Sequence, residues 1–424
     1  MRKCSANIHR LALAAAAMLL VPSLAVTGIS DPQDFSQIKR GRYLAIASDC
    51  ASCHTLPDDG PPFGGGRAIE TPFGKLLAPN ITPDRESGIG AWTDDEFDNA
   101  VRRGVGRNGA RLYPAMPYDA YTKMSRDEVV AIRAYLNTVA PVRNKVIADA
   151  LPFPFSVRSA MRVWDALYFT AGEFKVDPAK SAEWNRGAYL VTGPGHCGAC
   201  HTPKTSLGGD KTAYLLQGSP LQGWFAPNIT GDVTQGVGHW SSDDLVGYLK
   251  TGHNRISAAT GPMAEVVALS SSRMTDADLR AIATYLKSLG GRPSSTTPLR
   301  SDHPLMEAGS AIYRDQCSAC HGLDGHGTPL LFPSLAESSL VRADNPGTLI
   351  RILLRGARSV STASEPTAPG MPAYGWQLDD AQVAAVLTYI RNSWGGAAVA
   401  VSADAPVAHY SDGRSAWRDA ARRE

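Results

Sequence analysis

Six of the seven cysteines fall in three copies of one pattern, in which two cysteines three residues apart are followed directly by a histidine. Cysteines at i and i+3 on one helical turn face the same side, so both can reach the vinyl groups of one porphyrin. The adjacent imidazole can then bind the iron. The pattern therefore predicts three covalently attached haem c groups. The residues predicted to hold them are Cys50, Cys53 and His54; Cys197, Cys200 and His201; and Cys317, Cys320 and His321.

Three other uses of such cysteines fit less well. A zinc site needs four ligands, and each copy offers two cysteines and one histidine with no second pair nearby. A thioredoxin-like redox pair needs a surrounding βαβ pattern, which the sequence lacks. Simple disulfides suit an exported protein but give no reason for a histidine after every pair.

A histidine-bound haem iron needs a second axial ligand or keeps an open site, and this choice separates electron transfer from ligand chemistry. Met116, Met263 and Met371 each lie in a proline-containing loop at the matching place in their repeat. They are the predicted ligands, with His239 and His253 as alternatives for the second haem. Met124 and Met274 are rivals at the start of a later helix. Their counterpart in the third repeat is Leu378, which cannot bind iron, so they are interpreted as hydrophobic staples.

The motifs lie within an internal repeat. The segment APNIT recurs at 78–82 and 226–230, and Trp92 and Trp240 keep the same offset. Each unit is predicted to open with a helix that carries a glycine, at Gly41, Gly187 or Gly309. After the motif and a long loop come two further helices. The first of these is predicted to start at a capping box in the first two units and at the cap residue Asn345 in the third. In all three units it is predicted to end at a glycine. Closing helices are predicted over 126–139, 276–289 and 379–392. Periods of 3.6 dominate, so the predicted fold is all-α.

The chain divides accordingly. The predicted segments are a signal peptide at 1–25, a first domain at 32–140, an aromatic linker at 141–181, a second domain at 182–290, a linker at 291–303, a third domain at 304–395 and a polar tail at 396–424. Aromatic residues in the first linker, among them Phe153, Phe155 and Trp164, predict packing either within the chain or against another subunit.

Composition and charge exclude some classes of function. The formal net charge is +2 and is spread along 424 residues, without the basic stripe that nucleic-acid binding requires. Positive residues, an apolar run and small residues up to Ala25 are typical of an export signal. The protein is therefore predicted to act in the periplasm. Trp92, Trp240, Asn80 and Asn228 are candidate donors to haem propionates.

With these features placed, the chain resembles the triheme cytochrome c subunits of bacterial membrane-bound dehydrogenases that oxidise alcohols, gluconate, sorbitol or fructose. The resemblance implies three tandem class I cytochrome c domains and supports the ligand set above. It also implies a separate catalytic subunit of flavin, PQQ or molybdenum type, ubiquinone or a downstream cytochrome or oxidase as acceptor, and a peripheral position on the periplasmic side of the cytoplasmic membrane. It rests on LYPAMPY at 112–118, PFPFSVR at 152–158, GAYLVTGPGHCGACHTPK at 187–204 and MPAYGWQLDDAQVAAVLTYIRNSWG at 371–395.

Two other functions compete with this one. A free periplasmic multihaem carrier would lack a tightly bound dehydrogenase. A haem peroxidase would need an open iron site, which the three methionines argue against. On the leading interpretation the chain has no catalytic residues of its own.

Overall fold

A computed structural model describes residues 35–57, 60–147, 151–291 and 296–405. The predicted signal peptide at 1–25 and the end of the predicted tail, 406–424, lie outside the described residues. Within them the chain is mostly helical, as the sequence predicts. None of the described helices has the length and apolar character needed to cross a bilayer.

The elements recur in three sets. The first contains α1 (Phe35–Ala47), α2 (Cys50–His54), β1 (Ala68–Thr71), β2 (Gly74–Leu77), α3 (Asp94–Arg103), α4 (Tyr118–Tyr121) and α5 (Arg126–Leu136). A linker carries α6 (Met161–Tyr168). The second set contains α7 (Ala182–Thr192), α8 (Gly198–His201), β3 (Gln217–Leu221), β4 (Trp224–Asn228), α9 (Ser242–Thr251), α10 (Gly261–Leu269) and α11 (Asp276–Ser288). The third contains α12 (Pro304–Gln316), α13 (Ser318–His321), α14 (Ser339–Arg342), α15 (Gly347–Arg355), β5 (Ala357–Arg358), β6 (Gly370–Met371) and α16 (Asp380–Arg391).

Helix ends follow their capping residues. Capping boxes start α3 at Thr93 and α9 at Ser241, and both helices end at a left-handed glycine, Gly104 or Gly252. The α15 helix begins after Pro346, one residue later than expected, but the side chain of Asn345 still accepts the Gly347 N–H at 2.7 Å. These local signals therefore place the middle helix of each repeat.

Each opening helix crosses its closing helix at the predicted glycine. A Cβ atom at any of these three positions would overlap a backbone carbonyl of the closing helix. Glycine is therefore required by the close approach of two backbones, not by an unusual φ angle. The three contacts are Gly41 on Ala131, Gly187 on Ala281 and Gly309 on Ala385.

Three short hairpins were not expected from the sequence. β1 pairs with β2, β3 with β4 and β5 with β6, all antiparallel, with Ala68 opposite Leu77, Gln217 opposite Asn228 and Ala357 opposite Met371. Strands β1 to β4 have four or five residues without strict alternation of apolar and polar residues, and β5 and β6 have only two, so none carries the pattern of a half-buried strand. The hairpins are small additions to a fold that remains consistent with the predicted all-α class.

Two main cores hold the repeats together. One apolar cluster runs through the first and second repeats without a break, from Leu44 and Met124 to Leu190 and Leu279. The third repeat has a cluster of its own around Val383. A small cluster of Ala259, Val267 and Val360 joins the second repeat to the third.

The start of the predicted polar tail packs on the third repeat. Val401 is buried and its N–H donates to Thr388 Oγ1 at 2.9 Å. The fully buried Arg391 donates to the carbonyls of Ala343 at 2.6 Å and Val399 at 3.0 Å. Residues 396–405 are therefore held by the closing helix α16.

Candidate haem sites

Each attachment motif forms a single helical turn at the end of its opening helix. Cys50 and His54 bound α2, and His201 and His321 end α8 and α13. In the first two motifs the residue before the first cysteine is left-handed, Asp49 at φ 51° and His196 at φ 37°. This left-handed residue separates the motif from the opening helix in the first two repeats.

All six described cysteines are free thiols, so the disulfide interpretation fails in this structure. Burial raises the pKa of Cys50 and of Cys197 to about 12 and that of Cys53 and of Cys317 to about 11. These thiols are neutral at pH 7, whereas a redox-active cysteine pair works through a thiolate with a lowered pKa. The raised pKa values therefore argue against a thiol–disulfide exchange pair.

The three histidines are anchored alike through Nδ1. His54 Nδ1 lies 2.7 Å from the Pro79 carbonyl oxygen, and His201 Nδ1 lies 2.7 Å from that of Pro227. His321 Nδ1 lies 3.1 Å from the carbonyl oxygen of Pro333. A carbonyl fixes the proton on Nδ1 and leaves Nε2 as the free donor for iron. Burial lowers the pKa of all three imidazoles and so favours the neutral form that binds metal.

Sequence reasoning missed the anchoring prolines, although the repeated APNIT segment contained two of them. The asparagine that follows each of these two prolines holds the loop in place. Asn80 Oδ1 accepts from Thr82 N at 2.9 Å, and Asn228 Oδ1 accepts from Thr230 N at 2.8 Å. Asn80 also donates to the Val142 carbonyl at 2.6 Å. These asparagines therefore orient the loop that presents the carbonyl to the histidine.

The three predicted methionine ligands are half-buried, each against an apolar cluster of its repeat. Met116 lies in a loop before α4, where its carbonyl accepts the Tyr118 N–H at 2.7 Å. Met371 lies on β6, opposite Ala357. Met263 was expected in a loop but lies in the first turn of α10, behind Pro262. Pro262 is the second residue of α10, and proline is tolerated in the first turn of a helix, so that signal was present in the sequence.

Met124 and Met274 lie in the core. They are 0% and 5% exposed, and each directly precedes the capping residue of a closing helix. Both belong to the apolar cluster that also contains Val129 and Leu279, the fourth residues of those helices. This is the arrangement of a hydrophobic staple. Leu378 has the same position before α16.

The two alternative ligands of the second haem have other partners. His253 is buried, with Nδ1 at 3.2 Å from the Thr251 carbonyl oxygen and Nε2 at 2.5 Å from Ser359 Oγ. His239 Nε2 lies 2.7 Å from the Glu337 carbonyl oxygen. Both rings therefore connect the second repeat to the third. His253 has both nitrogens engaged and is excluded as a ligand, whereas the buried Nδ1 of His239 has no hydrogen-bond partner among the described residues, so His239 stays an alternative to Met263.

The side chain of Trp240 is a further indication of a haem at the second site. Trp240 is 4% exposed, and its Nε1 has no hydrogen-bond partner among the described residues. A buried donor without an acceptor is costly, and a propionate oxygen would satisfy it. Its counterpart Trp92 is only half-buried.

Three helical repeats, each with two free thiols and a carbonyl-anchored imidazole, define a c-type haem protein with three covalently attached haem groups. The sequence matches the cytochrome c family at residues 38–140, 185–290 and 306–394. The chain belongs to the cytochrome c family.

Curated relatives match along nearly the whole chain. The gluconate 2-dehydrogenase cytochrome c subunit of Pantoea cypripedii is 40% identical over 90% of this chain and 91% of its own length. The fructose dehydrogenase cytochrome subunit of Gluconobacter japonicus is 38% identical over 93% and 88%. The cytochrome c subunit of the quinone alcohol dehydrogenase from Gluconobacter oxydans is 39% identical over 90% and 84%. The resemblance stated from the motifs is thereby confirmed.

Proposed function

We propose that this chain is the triheme electron-transfer subunit of a dehydrogenase complex that oxidises CH–OH groups in alcohols, sugars or sugar acids. The observation that carries the proposal is the match, over most of both chains, to cytochrome c subunits of gluconate, fructose and alcohol dehydrogenases. On this proposal the chain accepts electrons from a catalytic subunit and passes them to ubiquinone or the respiratory chain. It performs no substrate chemistry of its own.

The proposed haem ligands are those predicted from the sequence, in three tandem class I domains within 32–140, 182–290 and 304–395. Each pair of cysteines forms the two thioether bonds, and each histidine binds iron through Nε2. Met116, Met263 and Met371 complete the coordination. Bound in this way, each haem supplies one-electron ferric–ferrous chemistry. The protein contributes fixed ligands and a largely apolar pocket.

The repeats are joined so that neighbouring sites are linked in chain order. Between the first and second repeats, Tyr189 donates to Glu128 at 2.8 Å, and Lys123 donates to the Thr192 carbonyl at 2.9 Å. Between the second and third, Thr348 donates to the Phe225 carbonyl at 3.0 Å. Such contacts favour a relay whose outer sites serve the donor and the acceptor.

The linker helix α6 offers a surface for the catalytic subunit. Of the two alternatives predicted for the linker aromatics, its Trp164 side chain follows packing within the chain, because it is buried against Tyr118 with ring centroids 6.0 Å apart. On the same helix Val163 and Leu167 are 63% and 59% exposed, and the linker residue Phe153 is 83% exposed. Large apolar side chains exposed together are typical of an interaction site. We place the dehydrogenase contact on this surface.

Purification from membranes tests the function. The chain is expected to co-purify with a flavin, PQQ or molybdenum dehydrogenase, and the substrate of that enzyme should reduce all three haems. Recovery only as a free monomer that no dehydrogenase reduces would favour the free carrier. The paired change Val163→Glu and Leu167→Glu should release the partner. Val233→Glu, at a residue 66% exposed in the second repeat, should not.

The cellular position is part of the proposal. The export signal predicted at 1–25 and the family resemblance support a peripheral location on the periplasmic side of the cytoplasmic membrane. Fractionation with a salt wash tests it, because a peripheral protein is released without detergent.

A further inference from the structure

An ion pair crosses the boundary between the first and second repeats beside the first attachment motif. Arg67 Nη2 donates to Glu265 Oε2 at 2.8 Å, and Nη1 pairs with the other carboxylate oxygen. A bidentate pair of this kind holds both side chains in a fixed orientation. The two residues are 198 positions apart in the chain. The pair therefore brings a charge from the second repeat to the first motif.

Arg67 is anchored on the motif itself. Its Nη1 also donates to the backbone carbonyl of Ser52, between the two cysteines, at 2.5 Å. The Ser52 hydroxyl in turn donates to Asp49 Oδ1 at 2.5 Å. Arg67, Asp49 and Glu265 thus form a small charged network around the first attachment turn. Side chains of Arg67 and Glu265 are only 25% and 32% exposed, so solvent screens them incompletely.

These charges act at the point where the porphyrin is attached. Asp49, Arg67 and Glu265 all lie close enough to Cys53 to shift its pKa. In the third motif, by contrast, the pKa of Cys317 responds to its burial and to Cys320. The network therefore lies at the first site and is completed by the second repeat. Of its members, Asp49 also acts on Cys200 of the second motif, whose pKa is raised mainly by burial.

We propose that the Arg67–Glu265 pair sets the reduction potential of the first haem, with Glu265 acting as a charge supplied across the repeat boundary. This rests on the haem positions given under the proposed function. Reduction lowers the charge at the iron by one unit, so a nearby anion favours the ferric state and a nearby cation favours the ferrous state. In the parent protein the effects of the two charges on the potential offset each other. Removal of one charge leaves the effect of the other.

The test is a set of spectroelectrochemical titrations of the haem-loaded chain, run well above the pKa of Asp49 so that this carboxylate stays ionised. Glu265→Gln should raise one of the three midpoint potentials, and Arg67→Gln should lower the same one. A unit charge roughly 15 Å from an iron, at an effective dielectric constant of about 20, changes the ferrous-to-ferric ratio about sixfold. For a one-electron couple a sixfold change is roughly 45 mV.

Four control variants separate the effect of charge from that of structure. Glu265→Asp and Arg67→Lys keep the charges and should leave the potential near that of the parent. Glu86→Gln removes the carboxylate of the exposed first-repeat pair with Arg143 and should move no potential. Met116→Ala, which removes the proposed ligand of the first haem, should move the same titration wave as Glu265→Gln.

Several outcomes would overturn the proposal: no shift in any wave, shifts of the same sign in both charge variants, or a shift in a wave that Met116→Ala leaves in place. Spectra that remain low-spin in Glu265→Gln would exclude displacement of nearby Met263 as the cause of a shift. Failure of the proposed function is distinguishable, since the parent protein would then lack three haem waves or would not be reduced by a dehydrogenase.

Discussion

Gly187→Ala should destabilise the protein even though alanine is the better helix former. An alanine Cβ at this position would lie 2.6 Å from the carbonyl carbon of Ala281 and 2.9 Å from Tyr285 Cβ. The obstacle is mostly backbone, which cannot rotate away as a long side chain can. Overpacking of this kind costs about 1–3 kcal/mol, and the alanine returns about 1 kcal/mol of helix propensity.

Because the obstacle is backbone, we take the upper part of the overpacking range, which leaves a net loss of about 1–2 kcal/mol. Near the unfolding midpoint, 1 kcal/mol corresponds to roughly 2–4 °C for a unit of 150–250 residues. Gly187→Ala should therefore lower the midpoint by roughly 2–8 °C. Scanning calorimetry of the haem-loaded protein measures it.

Gly247→Ala is the matched control within the same repeat. Gly247 lies inside α9, and a Cβ there would meet its nearest atom, the His253 carbonyl oxygen, at 3.7 Å. With no obstacle, the gain in helix propensity should dominate and raise the midpoint slightly. The reasoning is refuted if Gly187→Ala is as stable as Gly247→Ala or more so. In that case the crossing would not require glycine.

Three further predictions concern single side chains. Met371→Ala should turn one ferric haem from low-spin to high-spin and lower its potential, and unchanged spectra would remove Met371 from the ligand set. Burial raises the pKa of Asp49 to about 7, so its carboxyl is neutral below that pH and anionic above it. The potential of the first haem should therefore fall as pH rises through about 7, and Asp49→Asn should abolish that dependence in a pH series. Ser359→Ala leaves the buried Nε2 of His253 without its hydroxyl partner and should cost about 1–3 kcal/mol in denaturant unfolding, whereas a loss below that range would mean that water replaces the hydroxyl.

Features that depend on neighbouring residues were predictable. The cysteine–histidine spacing, the capping boxes and the glycines of the opening helices all have local signatures, and the structure places them as expected. The anchoring carbonyls of Pro79, Pro227 and Pro333 were not predictable, because every residue carries a carbonyl and only the folded loop selects one. The pair of Arg67 with Glu265 was equally hidden, since nothing in either segment indicates the other.

The structure of the aromatic linker was predictable only in part. Its aromatic content predicted burial somewhere but could not say where. In the structure the Trp164 side chain is buried and the Phe153 side chain is exposed. Composition gives the amount of apolar surface, whereas the path of the chain decides which part of it a partner can reach.

The apolar cluster that runs unbroken through the first two repeats ties them together, so only the third repeat can be separated from the rest of the chain. Truncation between the second and third repeats would cut mostly polar contacts and one small cluster, so a two-haem fragment should be recoverable. Truncation between the first and second would open a common interior and expose Met124 and Leu279 together. Homologous exchange of domains with other multihaem proteins should therefore succeed for the third repeat alone, and for the first two only as a block.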